Sequence, residues 1–523
     1  MIPRFDRASW IALVVVTAAA YVIFVWGYDF PAVPFWDERY YIVDAQKYIN
    51  GIYFIDLHPP LGKLLIALGE WLFGRNAETN HFLSVTYYAE NIPPGFSFVG
   101  FRFFPVLLAW LTAPMFFLLF RSIVCDPVLA AMLCGLYLFD NALVVHLRGA
   151  LLEGPLLFFA VTLLFTFVAL VRLNADTTAR LKAAPPYDRG PHDQSPSDQK
   201  PVRRLALLMG LALGCVVTTK SLGVVFVLLP LAAAWHLRGT PRAAWRFLTT
   251  VAVTSALVAV AVWEVHFTLA HKINPALMEN GFYVKPSEGA RTYLERSGRL
   301  PILALPSLVR DAVRYASWYD AARPPIDFCK PDEKASPFWM WPIGARAVAY
   351  WWDSTDNGRS FRYLYLQVNP VVWFTALGAV VVAVSLLLAS ALAPPARPLE
   401  HRFAIGVVVA LYFAYFLPFP WIHGVMFLYH YFIPLILSFV LLALVVDEVD
   451  HVGPWPVTTA HKRRAAAVWL VAAVASFWFY KPLTYYERPL TPEDLQRRAL
   501  ISLWDLRCVT CPHNDGLCTS VPK

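Results

Sequence analysis

An all-α protein that crosses a membrane many times is the fold class this sequence predicts, on three observations. The 523 residues are 58% hydrophobic and only 15% charged, whereas a soluble domain carries about 25% charged residues. Apolar runs recur at the length, about 20 residues, that spans the hydrocarbon core of a bilayer. Lysines and arginines collect in alternate gaps between those runs, as they do in cytoplasmic loops. The net charge of +8 would suit a nucleic-acid partner, but its confinement to short gaps between apolar runs excludes that reading. The 19 Trp and 24 Tyr suit a chain with many membrane–water boundaries, where such rings settle.

In order, the runs cover residues 10–28, 103–120, 127–146, 151–171, 205–237, 247–268, 370–392, 403–420, 425–446 and 465–480. The first is too long for the core of a signal peptide and lacks a small-residue cleavage site, so it is expected to remain as a span. The run 205–237 is broken by Lys220 and is expected to form two short spans turning near Thr218–Ser221. The total is then about 11 transmembrane helices. With that number, the basic gaps at Arg4 and Arg7, Arg121, 172–204, Arg238–Arg246, Arg397–Arg402 and Lys462–Arg464 all fall on one side. That side is cytoplasmic and holds the N-terminus.

Four regions are left outside: 29–102, the short turn around Arg148, 269–369 and 481–523. The chain divides accordingly. An N-terminal membrane module, 1–268, includes the first outer loop, 29–102. A second outer loop, 269–369, follows, then a C-terminal module of four spans, 370–480, and an outer tail, 481–523. Both large outer loops are rich in Trp and Tyr and are expected to lie against the membrane surface, carrying interfacial helices. Residues 174–203, rich in Pro, Asp, Ser and Gln, are expected to be a flexible cytoplasmic linker.

The first outer loop opens Phe35-Trp36-Asp37-Glu38. Adjacent carboxylates just outside a span are candidates for general-base work, because partial desolvation at the lipid boundary raises their pKa. A solvated loop that happens to contain Asp-Glu is the competing reading. Further on, Leu61, Leu64, Leu65, Leu68 and Leu72 follow helical spacing, with Lys63 and Glu70 off that face. Pro59 and Pro60 precede them, and Pro suits a first helical turn. An amphipathic helix in the interface is expected there. His58 sits just before it.

Ionisable residues in or beside spans are expensive and tend to serve function. Asp140, Arg102, Arg148, Glu153, Lys220 and His430 are the candidates. A phosphate leaving group would need positive charge, which Arg102, Arg148 and Lys220 could supply. Snorkelling, or an internal bridge such as Arg148 with Glu153, is the alternative.

Of the seven cysteines, Cys125, Cys134 and Cys215 fall in or beside apolar runs and read as small fillers. Cys329, Cys508, Cys511 and Cys518 fall outside, where an oxidising compartment would favour two disulfides pinning the tail to the second outer loop. Zinc binding by Cys508-x-x-Cys511, His513 and Cys518 is the other reading. The outer loops contain no tight carboxylate or His cluster of metal-ligand spacing.

Several motifs together resemble the protein O-mannosyltransferase family, within the GT-C superfamily of polyprenyl-phosphate-dependent glycosyltransferases. Asp37-Glu38 followed by His58-Pro59-Pro60-Leu61-Gly62-Lys63 resembles the family's first outer loop. Phe139-Asp140-Asn141 through Arg148 and Leu152-Glu153 resembles its Asp-Asn … Ser-Arg … Leu-Asp segment. Thr219-Lys220-Ser221-Leu222-Gly223 is similar to its Lys-Trp-x-Gly turn, and Val265-His266-Phe267 to its Ile-His-Phe. Gln367-Val368-Asn369-Pro370-Val371-Val372-Trp373 resembles Gly-Asn-Pro-x-x-Trp, and Phe427-Leu428-Tyr429-His430-Tyr431 resembles Phe-Leu-Tyr-His-Tyr. The matches keep the family's order from about residue 35 to 434. Glu153 stands where the family usually has Asp, His146-Leu147 where it has Gln-Ser, and Ser221 where it has Trp.

The resemblance implies a GT-C fold and an inverting transfer of mannose from polyprenyl-phosphate-mannose to Ser/Thr hydroxyls of proteins on the outer face, with no obligatory metal or other cofactor. It implies Asp37 as the base and Glu38 as its helper in a catalytic module within 1–268. Arg102, Arg148, Lys220, His58, Lys63, Glu153, Asp140 and His430 are then the substrate-binding candidates. Pairing with a homologue is open to such chains. At about 100 residues, the loop 269–369 is too short for the β-trefoil domain of eukaryotic members. The plasma membrane of a prokaryote is therefore expected, with an ER membrane and lumenal site the eukaryotic counterpart. Competing functions are a related GT-C transferase acting on a lipid or cell-envelope glycan, a transporter of lipid-linked sugar, and a catalytically dead partner. Transport sites sit near the membrane midplane, which counts against the transporter.

Overall fold

Short polar side chains start several of the helices. Helix α1 (Arg7–Ala20) begins at Asp6, which accepts the Ser9 amide at 2.8 Å, and it runs on as a π-helical turn, Tyr21–Val25. Helices α2 (Glu38–Asn50) and α3 (Leu61–Phe73) follow before the long α4 (Val99–Val124). Asp126 then caps α5 (Pro127–Leu138), and Asp140 caps α6 (Asn141–Leu147), the two helices meeting at a 67° bend. Helices α7 (Glu153–Ala183), α8 (Pro196–Thr219), a 3₁₀ stretch (Ser221–Val227), α9 (Leu228–His236) and α10 (Pro241–Leu269) complete the N-terminal half. The second half holds α11 (Glu288–Glu295), α12 (Leu305–Ala322), a hairpin β1 (Val348–Thr355) and β2 (Ser360–Leu366), α13 (Pro370–Leu392) and α14 (Arg402–Phe416). It ends with a 3₁₀ turn (Leu428–Tyr431), α15 (Phe432–Glu448) and α16 (Thr459–Thr484). This computed structural model describes residues 5–76, 83, 86, 88–90, 92–183, 196–237, 241–274, 286–295, 304–327, 333–393, 398–422, 424–504 and 506.

Among the described residues nine helices are long and apolar enough to cross a membrane, and the bent pair α5–α6 makes a tenth if it counts as one span. The protein is a multi-pass membrane protein. The second half of the run 205–237 is the apolar helix Ser221–His236, shorter than the nine. One expectation changes. The segment 174–203 is helical at both ends, since α7 continues to Ala183 and α8 starts at Pro196. The fold is mostly helical, as expected, with one antiparallel hairpin, β1 and β2, in the second outer loop.

Helices α7 and α15 are the most enclosed and form the centre of the bundle, with α4 packed on α7. Glycine brings that pair together: a Cβ at Gly154 would lie 2.4 Å from the Pro105 carbonyl oxygen. Gly154→Ala is therefore expected to force α7 off α4 and lower stability by about 1–3 kcal/mol. An unchanged unfolding midpoint in detergent would contradict this.

Helix α3 turns its amphipathicity inside out. Lys63 and Glu70 are buried against the protein, while Leu68, Trp71, Leu72 and Phe73 are exposed. The apolar face is the outward one, as suits a helix whose surroundings are partly lipid.

Candidate active site

Asp37 sits at the N-terminal cap of α2 and makes no bond to the helix amides. Its carboxylate instead accepts the Tyr429 hydroxyl at 3.0 Å. The preceding residue, Trp36, has φ +50, a left-handed conformation costly for a bulky side chain. Its indole is fixed in that pose, stacked on Tyr350 at 5.2 Å and edge-on to Phe427 at 4.9 Å. Burial pushes the Asp37 acid up to about 6, with the Lys220 cation opposing and the Glu153 charge adding to the rise.

Beside Asp37 lies a second polar string. Lys220 and one oxygen of Glu153 form a close ion pair. The other oxygen of Glu153 meets His146 Nε2 at 2.7 Å, and His146 Nδ1 meets the Tyr350 hydroxyl at 2.5 Å. A carboxylate only accepts, so Nε2 carries the proton toward Glu153, and Nδ1 accepts from Tyr350. The His146 ring stacks on Tyr429 at 4.9 Å, and the Lys220 ammonium lies 5.1 Å from that ring's centroid. Tyr429 thus joins the Asp37 and Glu153–Lys220 groups. A narrow cleft reaches this point, lined by Glu153, Lys220, Tyr415, Tyr429, His430 and Phe432, among others. His430 forms one wall, its ring stacked on Trp341 at 5.9 Å.

His58 lies within the fields of Lys220 and Glu153. Its Nδ1 is buried without a partner among the described residues, and burial, helped by the Lys220 charge, pushes its pKa down to about 3. The imidazole is therefore neutral. Lys63 works from beneath. It pairs with Asp56, donates to the His58 carbonyl at 2.8 Å and lies 3.9 Å from Asp44, which itself pairs with Lys47 at 3.3 Å. Its contacts are to the loop that carries His58, so its expected substrate contact is revised to support of that loop.

Four other expectations are corrected. Glu38 is fully buried and saturated. It accepts Arg102 Nε at 2.7 Å, Arg102 Nη2 at 2.9 Å, the Phe35 amide at 3.2 Å and the Ala150 amide at 2.5 Å. It is a strut fixing the residue after Asp37, with no face toward a substrate. Arg102, also fully buried, donates to the carbonyls of Tyr28, Asp29, Pro31 and Val33 as well. Arg148 donates to the carbonyls of Ile23, Phe24, Trp26 and Gly27, closing the C-terminal end of the first span. These guanidiniums are engaged with main chain, so neither is placed to hold a phosphate. Asp140 caps α6 through the Leu143 amide at 2.8 Å and accepts the Trp373 indole at 2.7 Å, tying the bend to α13.

The site therefore draws together Asp37, Glu153, Lys220, His58 and His430, and adds His146, Tyr350 and Tyr429. Tyr350 sits at a β-bulge: Ala349 faces Tyr365 and Trp351 faces Leu364, leaving Tyr350 as the extra residue. Bulges re-aim side chains next to active sites. Among the described residues no three His, Cys, Asp or Glu side chains converge as a metal site. Cys125, Cys134 and Cys215 are free thiols. The expected disulfides or zinc site of Cys329, Cys508, Cys511 and Cys518 lie outside the described residues.

Comparison with known proteins follows the same lines. Residues 14–271, which include Asp37, His146, Glu153 and Lys220, match the family described as dolichyl-phosphate-mannose-protein mannosyltransferase. Residues 324–504, which include Tyr350, Tyr429 and His430, match the C-terminal four TMM region of protein-O-mannosyltransferase. The chain is 32% identical over 170 residues to dolichyl-phosphate-mannose--protein mannosyltransferase 4 of Schizosaccharomyces pombe, covering 32% of this chain and 22% of that one. It is 28% identical over 255 residues to protein O-mannosyl-transferase 1 of Rattus norvegicus, covering 48% and 30%. The matched stretches thus span less than a third of these relatives' length. In fold, the chain is similar to a solved S. cerevisiae protein O-mannosyltransferase, from the Pmt1-Pmt2 complex bound to the sugar donor. The TM-score is 0.73 and the identity 15%, with 98% of this chain and 94% of that one covered. Two family matches in sequence order, on a bundle of that fold, place this chain in the protein O-mannosyltransferase family.

Proposed function

We propose that this protein transfers mannose from polyprenyl-phosphate-mannose to Ser or Thr hydroxyls of a polypeptide, with inversion, at the outer face of its membrane. The observation that carries the reading is the pairing of a half-buried carboxylate, Asp37, with a buried cation, Lys220, across one tyrosine, Tyr429. Asp37 accepts the proton of the acceptor hydroxyl. The hydroxyl oxygen bonds to the anomeric carbon, and the bond from that carbon to the phosphate oxygen breaks. Polyprenyl phosphate leaves with the electron pair, and Lys220 holds its growing negative charge. Glu153, fixed by His146, keeps the ammonium in place until the phosphate competes for it. The scheme uses no metal ion or other cofactor. The apolar flank of the cleft, Leu156, Leu222, Phe432 and Ile433, suits the start of a polyprenyl chain.

The placement of basic gaps supports a site facing outward, and the short second outer loop supports a prokaryotic plasma membrane. The fold match to a protein solved as a Pmt1-Pmt2 complex supports pairing with a homologous chain. Purified protein given radiolabelled polyprenyl-phosphate-mannose and a Ser/Thr peptide is expected to label the peptide. Lys220→Met is expected to lower turnover about 100- to 1000-fold, as loss of one charge-stabilising donor does. Label passing to lipid or glycan instead of peptide would replace the polypeptide by the other acceptor class.

A further inference from the structure

A second opening is lined by residues on both sides of Asp37 in the chain. It is a cavity of about 730 Å³ whose lining includes Pro34, Arg39, Glu90, Pro94, Phe96 and Trp351. It shares no lining residue with the cleft of Glu153 and Lys220. Asp37 is linked to both. Pro34 and Arg39 flank it in sequence, and Tyr429, its hydrogen-bond donor, lines the cleft.

Arg39 is held in a fixed pose at this cavity. Its Nε donates to the Pro34 carbonyl at 3.3 Å and its Nη1 to the Tyr88 hydroxyl at 2.9 Å. The guanidinium lies 5.3 Å from the ring centroids of both Tyr88 and Trp351. Its Nη2 has no partner among the described residues. A clamped guanidinium with a free edge is preorganised for a carboxylate, because little rotamer entropy remains to be lost. The Ala89 amide bonds the Arg39 carbonyl at 3.0 Å, so the far wall is anchored to the same helical turn.

We propose that this cavity seats the acceptor polypeptide and that Arg39 reads an acidic side chain one to three residues from the acceptor Ser or Thr. The inference rests on the polypeptide reading above. Arg39 follows Asp37 by two residues at the start of α2, about 3 Å along the axis and on a different face, and an extended chain advances about 3.3 Å per residue. An acceptor chain with its hydroxyl at Asp37 that rounds this turn brings a residue one to three positions away to Arg39. Of the remaining lining, Pro34, Pro94, Phe96 and Trp351 offer apolar surface to the rest of an extended segment, while the Glu90 carboxylate favours seating the acidic side chain at the Arg39 end.

The test uses the full-length protein in detergent and two peptides that differ only in Asp or Lys two positions from a single Thr. Equilibrium binding by fluorescence anisotropy and kcat/KM for labelling are both measured. The wild type is expected to favour the Asp peptide about fivefold, the scale of a partly exposed charge-assisted pair. Arg39→Glu is expected to reverse the preference toward the Lys peptide. Because each ratio is taken within one variant, altered folding or a displaced Asp37 cancels. A ratio unchanged by Arg39→Glu overturns the inference, as does failure of both peptides to bind. A reversal in binding without any labelling upholds the Arg39 subsite and instead overturns mannosyl transfer to polypeptide.

Discussion

Asp37→Asn is expected to lower mannosyl transfer about 10²- to 10⁴-fold, the contribution of a positioned general base, while the protein still folds. The retained fold follows from the local geometry. The Asp37 carboxylate caps no amide of α2, so an amide in its place removes no helix bond, and its oxygen still accepts from Tyr429. What is lost is the lone pair that takes the proton in the proposed transfer. The pH profile supplies an independent check. Burial, partly offset by Lys220, pushes the Asp37 acid up to about 6, and only its ionised form can accept a proton. The wild-type kcat/KM should therefore be flat above about pH 6 and fall tenfold per unit below it. Near-normal turnover by Asp37→Asn, with an unchanged unfolding midpoint, would remove Asp37 from the role of base.

The geometry also explains why one acid of an adjacent pair is suited to chemistry and the other is not. Asp37 and Glu38 are neighbours, yet they meet opposite environments. Glu38 faces a guanidinium and two amides in the protein interior, which consume its lone pairs. Asp37 faces one hydroxyl and a partly open space. Trp36, strained at φ +50, and Glu38, bolted to Arg102, hold Asp37 from both sides. A base so held loses little entropy when it engages a substrate.

Much of the bundle was legible in the sequence because each span is a long apolar run, and burial in lipid leaves that signature whatever the neighbours. The site was legible only in part. Asp37, Lys220 and Glu153 stood out as charges at membrane boundaries. So did Arg102, Arg148 and Asp140, and nothing in one sequence separates a charge that awaits a ligand from one that holds a carbonyl or caps a helix. The partners of Arg148, residues 23–27, lie more than a hundred positions away. Tyr350 carried no signal at all, because its aim at His146 is set by a bulge in a hairpin the all-α reading did not include. Tyr429 had one, adjacency to His430 in a recognisable run, but its role emerges only when Asp37 arrives from the other half of the chain.

The second large effect is expected on stability, at Arg102. Arg102→Met should destabilise the protein by about 3–5 kcal/mol, because it leaves the Glu38 charge buried without its counter-ion. It also strips donors from four carbonyls in the segment 28–33. Glu38→Gln should destabilise it too, by leaving the guanidinium without its carboxylate. Combining the two removes both charges, so the double variant should lose less than the sum of the singles, the mark of direct coupling. Unfolding by SDS titration in mild detergent measures all three. If the losses simply add, the pair is not coupled in the folded protein and the strut reading of Glu38 fails. Coupled losses, accompanied by weaker transfer in Glu38→Gln at a temperature where it remains folded, would mean that the buried pair positions Asp37. The carboxylate that was expected to help with the chemistry would then act on it only through the backbone it holds.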